Sequence, residues 1–508
     1  MKNKVIKDNV HGYINIPEEY CAIIDTSEFQ RLRSIEQTSM RCLYPCAGHD
    51  RFTHSLGTFY LGQKLIRALV RNLTIHNEKY FKLFDEEEWN RIIKTFELAC
   101  MLHDCGHAPF SHTLEKYMDY PFEPADGKDG LLVRQLINEI KDVDSVFADK
   151  KLLESYTSKH EKATAILIWK RFRKDIESLG ADTILVMRMI MGYRYSPAAN
   201  DKEKMLNCII ALLNGMHIDV DKLDYIVRDT ATSGVDNFSM DLDRLINSVI
   251  IVNHKNTISV GYLKTSINVI PNIISAMNNL YLWIYAHHKV QYHSWLLCRC
   301  FEKAVGILFG YAFDKEKDKI LAKCSHLISV DAMIGPIEVS SSTYTERAYL
   351  PSDFDIMALI KKAALKTPDS DFDELFSRVY KKSVWKSYAE YYNLFQFNAP
   401  QMATIYANSG SRSTEILDNL CAVFPKGHIL NNKESWAIFQ VKPKVKSTDE
   451  AGIYIHFNNG VLQEYSSKTF ASAVTGELPA FFYLYHTKAE ITEEEKEEII
   501  KVIQSFAS

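Results

Sequence analysis

The chain has 508 residues, 46% apolar and 24% charged, with a formal net charge of −4. That length exceeds one ordinary hydrophobic core and sets a prior of about three domain-sized units, although helical enzymes merge them. The composition is that of a soluble globular protein, and the balance of charge removes nucleic acid as the main partner while leaving room for local basic pockets that hold phosphates.

The opening MKNKVIKDNVHGY lacks the apolar stretch of a signal peptide, and no run of about 18 apolar residues would span a bilayer. Ten cysteines stand at scattered spacings without a CxxC pair. Reduced thiols, a cytoplasmic location, no membrane contact and no cysteine-built zinc site are therefore expected. Most of the first 320 residues read as helix. After His54, residues Thr58, Leu61 and Leu65 recur at helical spacing. From Ile92 to Leu102 the apolar positions Ile92, Phe96, Ala99 and Cys100 share one face, which carries His103 with it. The segment KMLNCIIALLNGMHIDVDKLDYIVRD breaks at Asn214-Gly215 and resumes with Asp219 as N-cap and Val220, Leu223 and Val227 as core stripe. A long apolar helix is expected from about Ile267 to Phe301. A loop at Ser340 to Ser342 precedes helices over Asp353 to Lys366 and in TPDSDFDELFSRVYKK. Beyond about Ser409 the pattern turns to strands, in SWAIFQVKPKV and in AGIYIHFNNGVLQEYSS, with Asn459-Gly460 as hairpin turn. TEEEKEEIIKVIQSF closes the chain as a charged helix. The expected fold is mainly α: a helical core over residues 1–320 and a smaller C-terminal lobe, helical then mixed α/β, over 321–508.

Chemistry concentrates in HDCGHAPFSH, where His103-Asp104 ends an apolar helix and a glycine and a proline break it. A helix-end histidine often only bonds a neighbouring carboxylate. Two further segments change the balance: AGHDRFTHSLGT places His54 at a helix start, and HIDVDKLDYIVRD is dense in aspartate, with Lys222, Tyr225 and Arg228 spaced along a helix from Asp221. Two imidazoles and two carboxylates from three helices suit manganese, iron or zinc better than magnesium alone. Open positions in such a shell would carry water and aim it at phosphorus.

In that order, HDRFTHSLG, LHDCGHAPFSH and IDVDKLDYIVRD resemble the HD-superfamily deoxynucleoside triphosphate triphosphohydrolases, the group of dGTPases and SAM-and-HD-domain enzymes. KDNVHGYINIPEEYCAIIDTSEFQRLRSIEQ shares the resemblance, which fades after about residue 390. The resemblance implies an HD-domain helical core and His54, His103, Asp104 and Asp221 as ligands of a divalent metal (manganese, iron, zinc or magnesium). It leaves Asp219 as a helix cap. It implies attack of metal-bound water at the α-phosphorus of a dNTP, releasing deoxynucleoside and triphosphate.

Matched position by position, His107 and His112 face the α-phosphate, and the pair His160-Glu161 puts a histidine, held by its acid, near the reaction centre. His112 is the first choice of general acid and His160 the second, with Arg51, Lys222 and Tyr225 on the phosphates. Gln37 and Asp229 match the groups on the 3′-hydroxyl, Thr38 replaces the usual leucine under the sugar, and Tyr285 matches the sugar-stacking tyrosine. Tyr281 stands where histidine is common, His288 where lysine is, and Met277 where a phosphate-binding arginine is expected. Asp25, Gln30 and Arg33 match the guanine-reading residues of an activator site in a homo-oligomer, a dimer or tetramer; a helix start capped by Asp25 with Phe29 and Leu32 packed inward would show the same residues. Two rivals stand beside this reading: an HD phosphohydrolase acting on another nucleotide phosphate ester, and a nucleotide-sensing regulatory protein working through its C-terminal lobe.

Overall fold

A computed structural model describes residues 3–121, 130–155, 158–215, 218–235, 240–254, 257–313, 315–442, 453–457, 460–464 and 480–507. The protein is mainly α-helical, with a few small sheets. It divides into two compact units, each assembled from separated stretches. The first comprises residues 1–277, 300–368 and 447–474; the second comprises 278–299, 369–446 and 475–508. The chain passes between these two units several times.

The first unit opens with an antiparallel hairpin, β1 (Lys4–Asp8) and β2 (Gly12–Ile16), where a glycine at φ 80 makes the turn. Helix α1 (Arg51–His76) begins on the Asp50 cap, which accepts from the Thr53 amide. Helix α2 (Glu86–Leu102) begins on a capping box formed by Asp85 and Glu88. The two helices bury Thr58, Leu61 and Leu65 on one side and Ile92, Phe96, Ala99 and Cys100 on the other. Each large apolar side chain so buried contributes about 1.5–3 kcal/mol. A Cβ at Gly62 would stand 2.6 Å from Cys100 Sγ, so glycine sets the close approach of α1 to α2.

Helix α3 (Lys159–Leu167) is followed by α4 (Asp201–Leu213) and α5 (Val220–Ser233), which are separated at Asn214-Gly215 as the sequence requires. Strands β3 (Val249–His254) and β4 (Thr257–Leu263) interrupt the stretch expected to be helical, pairing antiparallel with Val249 opposite Tyr262. The expected helix from Ile267 to Phe301 is two helices. α6 (Val269–Asn279) runs into a wide π-type turn over Leu280–Tyr285 and stops before α7 (His288–Phe309). Hairpin β5 (Ile337–Ser340) and β6 (Thr345–Ala348) then leads to α8 (Asp353–Lys366), whose bounds are those expected from the sequence.

In the second unit α9 (Ser370–Ser377) starts on the Asp369 cap and precedes the short strand β7 (Lys382–Ser383). Two helices follow, α10 (Ala399–Ser411) and α11 (Ser413–Ala422), and the strand expected in SWAIFQVKPKV is β8 (Trp436–Val441). The hairpin β9 (Tyr454–His456) and β10 (Leu462–Glu464) forms antiparallel around Gly460; Asn459 lies outside the described residues. This hairpin belongs to the first unit, where β9 pairs parallel with β4 in the order β10-β9-β4-β3. The second unit holds the sheet β7-β11-β8, with β11 (Phe481–His486) central and α12 (Glu493–Ser505) closing the chain on a Thr492/Glu495 capping box.

Candidate metal centre

Three helices bring His54, His103, Asp104 and Asp221 together. His54 lies on the first turn of α1, His103 and Asp104 follow α2, and Asp221 is the second residue of α5. One ligand atom from each of His54, His103 and Asp104 falls within a sphere of 4.8 Å. His54 Nε2 is 3.2 Å from His103 Nε2, 3.0 Å from Asp221 Oδ1 and 3.5 Å from Asp104 Oδ2. His54 and Asp104 are buried, whereas the Asp221 side chain is 38% exposed and forms the open side.

The outward nitrogens are already committed. His54 Nδ1 is 2.7 Å from Asp224 Oδ2, and His103 Nδ1 is 2.9 Å from the Cys100 carbonyl. With Nδ1 donating in both rings, each Nε2 faces the other and two carboxylates. A divalent cation that displaced the proton between them would meet four acceptors, a donor set that fits it. Burial opposes a charge on His54, yet Asp221, Asp224 and Asp104 carry its pKa up to about 10. Burial likewise opposes the Asp104 charge, but Arg51, His103 and His107 hold its carboxyl well below the usual range.

A buried ionic cluster lies behind His54. Asp224 accepts from His11 Nε2 at 2.6 Å and from Arg228 Nε at 2.8 Å, while Arg228 also donates to Asp8 at 2.8 Å. The inner face of α5 thus carries Asp224 and Arg228, both fully buried, between Val220 and Leu223, and Val227 is only half-buried. Helix α1 makes room for the carboxylate with Gly57, where a Cβ would stand 1.9 Å from Asp224 Oδ1. Asp219 is the cap: it accepts from the Lys222 and Gly215 amides at 2.8 and 2.9 Å.

Beside the four converging residues stands a second group of imidazoles. His107 stacks on His160 with ring centres 4.0 Å apart, and its Nε2 is 3.3 Å from Asp104 Oδ1. His112 lies edge-on to both, its ring centre 5.0 Å from that of His107 and 5.2 Å from that of His160. Glu115 joins them: it accepts from His112 Nδ1 at 2.7 Å and from the His160 amide at 2.9 Å, with His160 Nδ1 at 3.1 Å. Glu161, expected to hold His160, does otherwise. As third residue of α3 it closes a capping box with Ser158 and accepts from Asn214 Nδ2 at 2.9 Å. The acid on the imidazole is Glu115, three residues from His112 but remote in sequence from His160.

Arg51 also differs from its expected place on the phosphates. It is buried, donating to Asp104 Oδ2 at 2.7 Å, Ser111 Oγ at 2.9 Å and the Gln37 carbonyl at 3.0 Å. It therefore fixes the carboxylate and the loop behind it. Lys222 donates to the Gly215 carbonyl at 2.9 Å and pairs with Asp219, beside a cavity of about 90 Å³ that His103, His160, Asn214 and Asp221 also line. Tyr225 is half-buried one turn further along α5. Gln37 and Asp229 are brought together by His49, whose carbonyl accepts from the Gln37 amide at 3.1 Å and whose Nε2 donates to Asp229 at 2.7 Å. Thr38 is extended at φ −149. Tyr285 lies in the second unit, edge-on to Tyr281 at 5.2 Å. Gln30 Oε1 accepts from Arg33 Nε at 2.8 Å, Arg33 covers the Phe52 ring at 3.5 Å, and Asp25 pairs with Lys4. The helix cap there is Thr26, not Asp25, while Phe29 and Leu32 pack inward. Sequence reasoning missed Glu115, Asp224, His11 and His49. Their only signal was residue type, because each acts on a group that folding brings near.

No family model matches the chain. Among curated proteins it is 24% identical over 479 residues to an uncharacterized protein of Methanocaldococcus jannaschii, across 92% of this chain and 85% of that one. It is 26% identical over 295 residues to an HD domain-containing protein of Acanthamoeba polyphaga mimivirus, 57% of this chain and 55% of that one. It is 33% identical over 244 residues to the deoxynucleoside triphosphate triphosphohydrolase SAMHD1 of Gallus gallus, 48% of this chain and 36% of that protein. The chain thus spans about half or less of the relatives whose names carry an HD domain or an activity.

Proposed function

We propose that the protein is a metal-dependent phosphohydrolase that cleaves deoxynucleoside triphosphates to deoxynucleoside and triphosphate. The observation that carries this reading is the convergence of His54, His103, Asp104 and Asp221 beside the His107, His112 and His160 cluster; the name of the Gallus gallus relative supplies the substrate class. His54, His103, Asp104 and Asp221 would hold the cation. When bound, it supplies positive charge for phosphate oxygens and acidifies water.

The chain's own residues account for the rest. Arg51 neutralises Asp104 and keeps it oriented toward the centre. Glu115 takes the Nδ1 side of His112, so the opposite nitrogen of this exposed imidazole is left to give a proton to the leaving 5′-oxygen. Burial opposes the Glu115 charge, but His160 and His112 hold its carboxyl well below the usual range; Glu115 favours a charged His112 against burial, which still brings that ring below its ordinary pKa, while the His160 pKa is raised. Gln37 and Asp229, joined through His49, are placed for the sugar, and Lys222 and Tyr225 for the phosphates. The same reading keeps Asp25, Gln30 and Arg33 as an activator site in a homo-oligomer.

The test is to incubate the protein with each dNTP and manganese or magnesium, with and without mixed dNTPs, and to separate the products. Deoxynucleoside and tripolyphosphate are expected. Orthophosphate or pyrophosphate as the first phosphorus product overturns the reading. His112→Ala should lose about 100-fold or more in turnover while retaining metal; wild-type turnover would remove His112 from the mechanism.

A further inference from the structure

The second unit contains a cavity of about 580 Å³ that has no part in this chemistry. It is lined by the start of α7, the segment between α9 and the sheet, the end of β11 and the beginning of α12. Six cationic residues line it, among them these four: Arg378, Lys382, Lys386 and Lys496. Among the described residues none of the four side chains meets a carboxylate within ion-pair distance. Elsewhere in the same unit exposed bases are neutralised, as in Arg412 with Glu415 at 2.7 Å and Lys433 with Asp418 at 2.5 Å. Even the buried Lys381 beside the cavity is paired, with Glu374 at 2.9 Å. Two acids, Glu490 and Glu493, also border the cavity, and both are exposed.

The lining also includes polar groups without charge. His486 is 3% exposed, and its Nδ1 has no hydrogen-bond partner among the described residues. Burial, then the Lys488 and Lys382 charges, push its pKa down to about 4, against the Lys488 backbone and Glu495. Burial, then His287, Lys289 and Lys386, push His288 down to about 3. Both imidazoles therefore remain neutral in a field that the lysines leave uncompensated. Arg378 adds a backbone observation. It ends α9 in the left-handed region at φ 57, where glycine is the easier residue, so a guanidinium occupies a position that backbone preference would give to another side chain.

We propose that this cavity binds a compact polyanion of the short-polyphosphate class, its phosphate oxygens bridging Arg378, Lys382, Lys386 and Lys496 with His486 Nδ1 as a further polar contact. Several cations around a half-open cavity suit a small, densely charged ligand. A nucleic-acid strand would need a basic track with open aromatic faces for the bases. Here the aromatics are used internally: Tyr292 stacks on Tyr485 at 4.2 Å, and the Tyr380 hydroxyl is 2.8 Å from His293 Nδ1.

Binding is read on the full chain by calorimetric titration with sodium tripolyphosphate, independently of turnover. The expected result is saturable binding that weakens about tenfold or more in Lys382→Glu/Lys386→Glu and weakens steeply with salt. Arg378→Ala/Lys496→Ala should weaken it in the same direction and serves if the first pair does not fold. Unchanged affinity in the folded lysine or arginine variants, with loss in Asp221→Ala, would place the anion at the metal centre and overturn the proposal. So would a single-stranded oligonucleotide that binds this unit and is not displaced by tripolyphosphate.

Discussion

Asp224 holds His54 in the tautomer that a metal ligand needs. Its two oxygens meet His54 Nδ1 at 2.7 Å and His11 Nε2 at 2.6 Å, and Arg228 closes the cluster from behind. An amide in its place must turn its NH2 toward one of two donors, so Asp224→Asn should free either His54 or the N-terminal hairpin. Metal affinity, measured by metal titration, is expected to fall about 10–100-fold, and the melting temperature should fall too because the buried Arg228 loses its paired charge. Gly57→Ala should act in the same direction, because its Cβ would stand 1.9 Å from the carboxylate oxygen. Wild-type affinity in both variants would leave Asp224 with packing alone. The same logic distinguishes Glu115 from Glu161: the capping box draws Glu161 back to its own helix start, so the imidazoles are held by an acid from another segment.

At the scale of elements, the loop after α2 depends on partners far along the chain. Phe110 and Ser111 are both left-handed, at φ 55 and 50, a conformation that costs of the order of 1–3 kcal/mol each in non-glycine residues. Asp353, the first residue of α8, accepts from the Phe110 amide at 2.6 Å and the Glu36 amide at 2.8 Å. Arg31 donates to the Cys105 and His107 carbonyls at 2.9 and 2.7 Å, and to Pro351 at 2.8 Å. The loop carrying His107 and His112 is thus fastened to α8 and to the segment that precedes α1. Asp353→Ala leaves two buried amides without acceptors and should cost about 1–3 kcal/mol for each. A lower denaturation midpoint is expected together with reduced turnover and unchanged metal content. Turnover equal to wild type would show that the loop keeps its conformation unaided.

For the whole molecule, acid should act through buried neutral imidazoles, as in the second unit. Burial depresses three of its histidines: His288 to about 3, also through His287, Lys289 and Lys386; His293 to about 4, also through Arg378; and His486 to about 4, also through Lys488 and Lys382. An unfolded histidine titrates near 6.5, so between that pH and about 4 the unfolded state binds more protons than the folded one. The stability these groups contribute is present above pH 6.5 and is lost as pH falls through that window. Melting temperature should therefore decline from about pH 6.5 to 4, and His293→Gln should flatten the decline. A melting temperature that stays level across the window contradicts the assignment of neutral buried imidazoles. The first unit holds a raised imidazole at His54, at about 10, beside His107 and His112, which burial depresses, so it too loses stability as pH falls.

The sequence alone determined which helices bear the converging His54, His103, Asp104 and Asp221. Metal-ligand residue types sit at helix ends in three linear motifs, and helical periodicity, caps and the Asn214-Gly215 break are properties of neighbouring residues that short-range forces decide. Asp219 as cap and the bounds of α8 were legible for the same reason. Tertiary structure decided what each charged group faces. Arg51 turns inward because Asp104 must be compensated where water is excluded, Asp224 and Arg228 are buried beside the apolar Val220 and Leu223 because His54 needs an acceptor, and Glu115 rather than Glu161 meets His160. It also decided that β9 and β10 complete the sheet of the first unit, since strand pairing joins residues about 190 positions apart that no local pattern connects. Burial and long-range pairing depend on the whole chain, so they are settled only when the chain has folded.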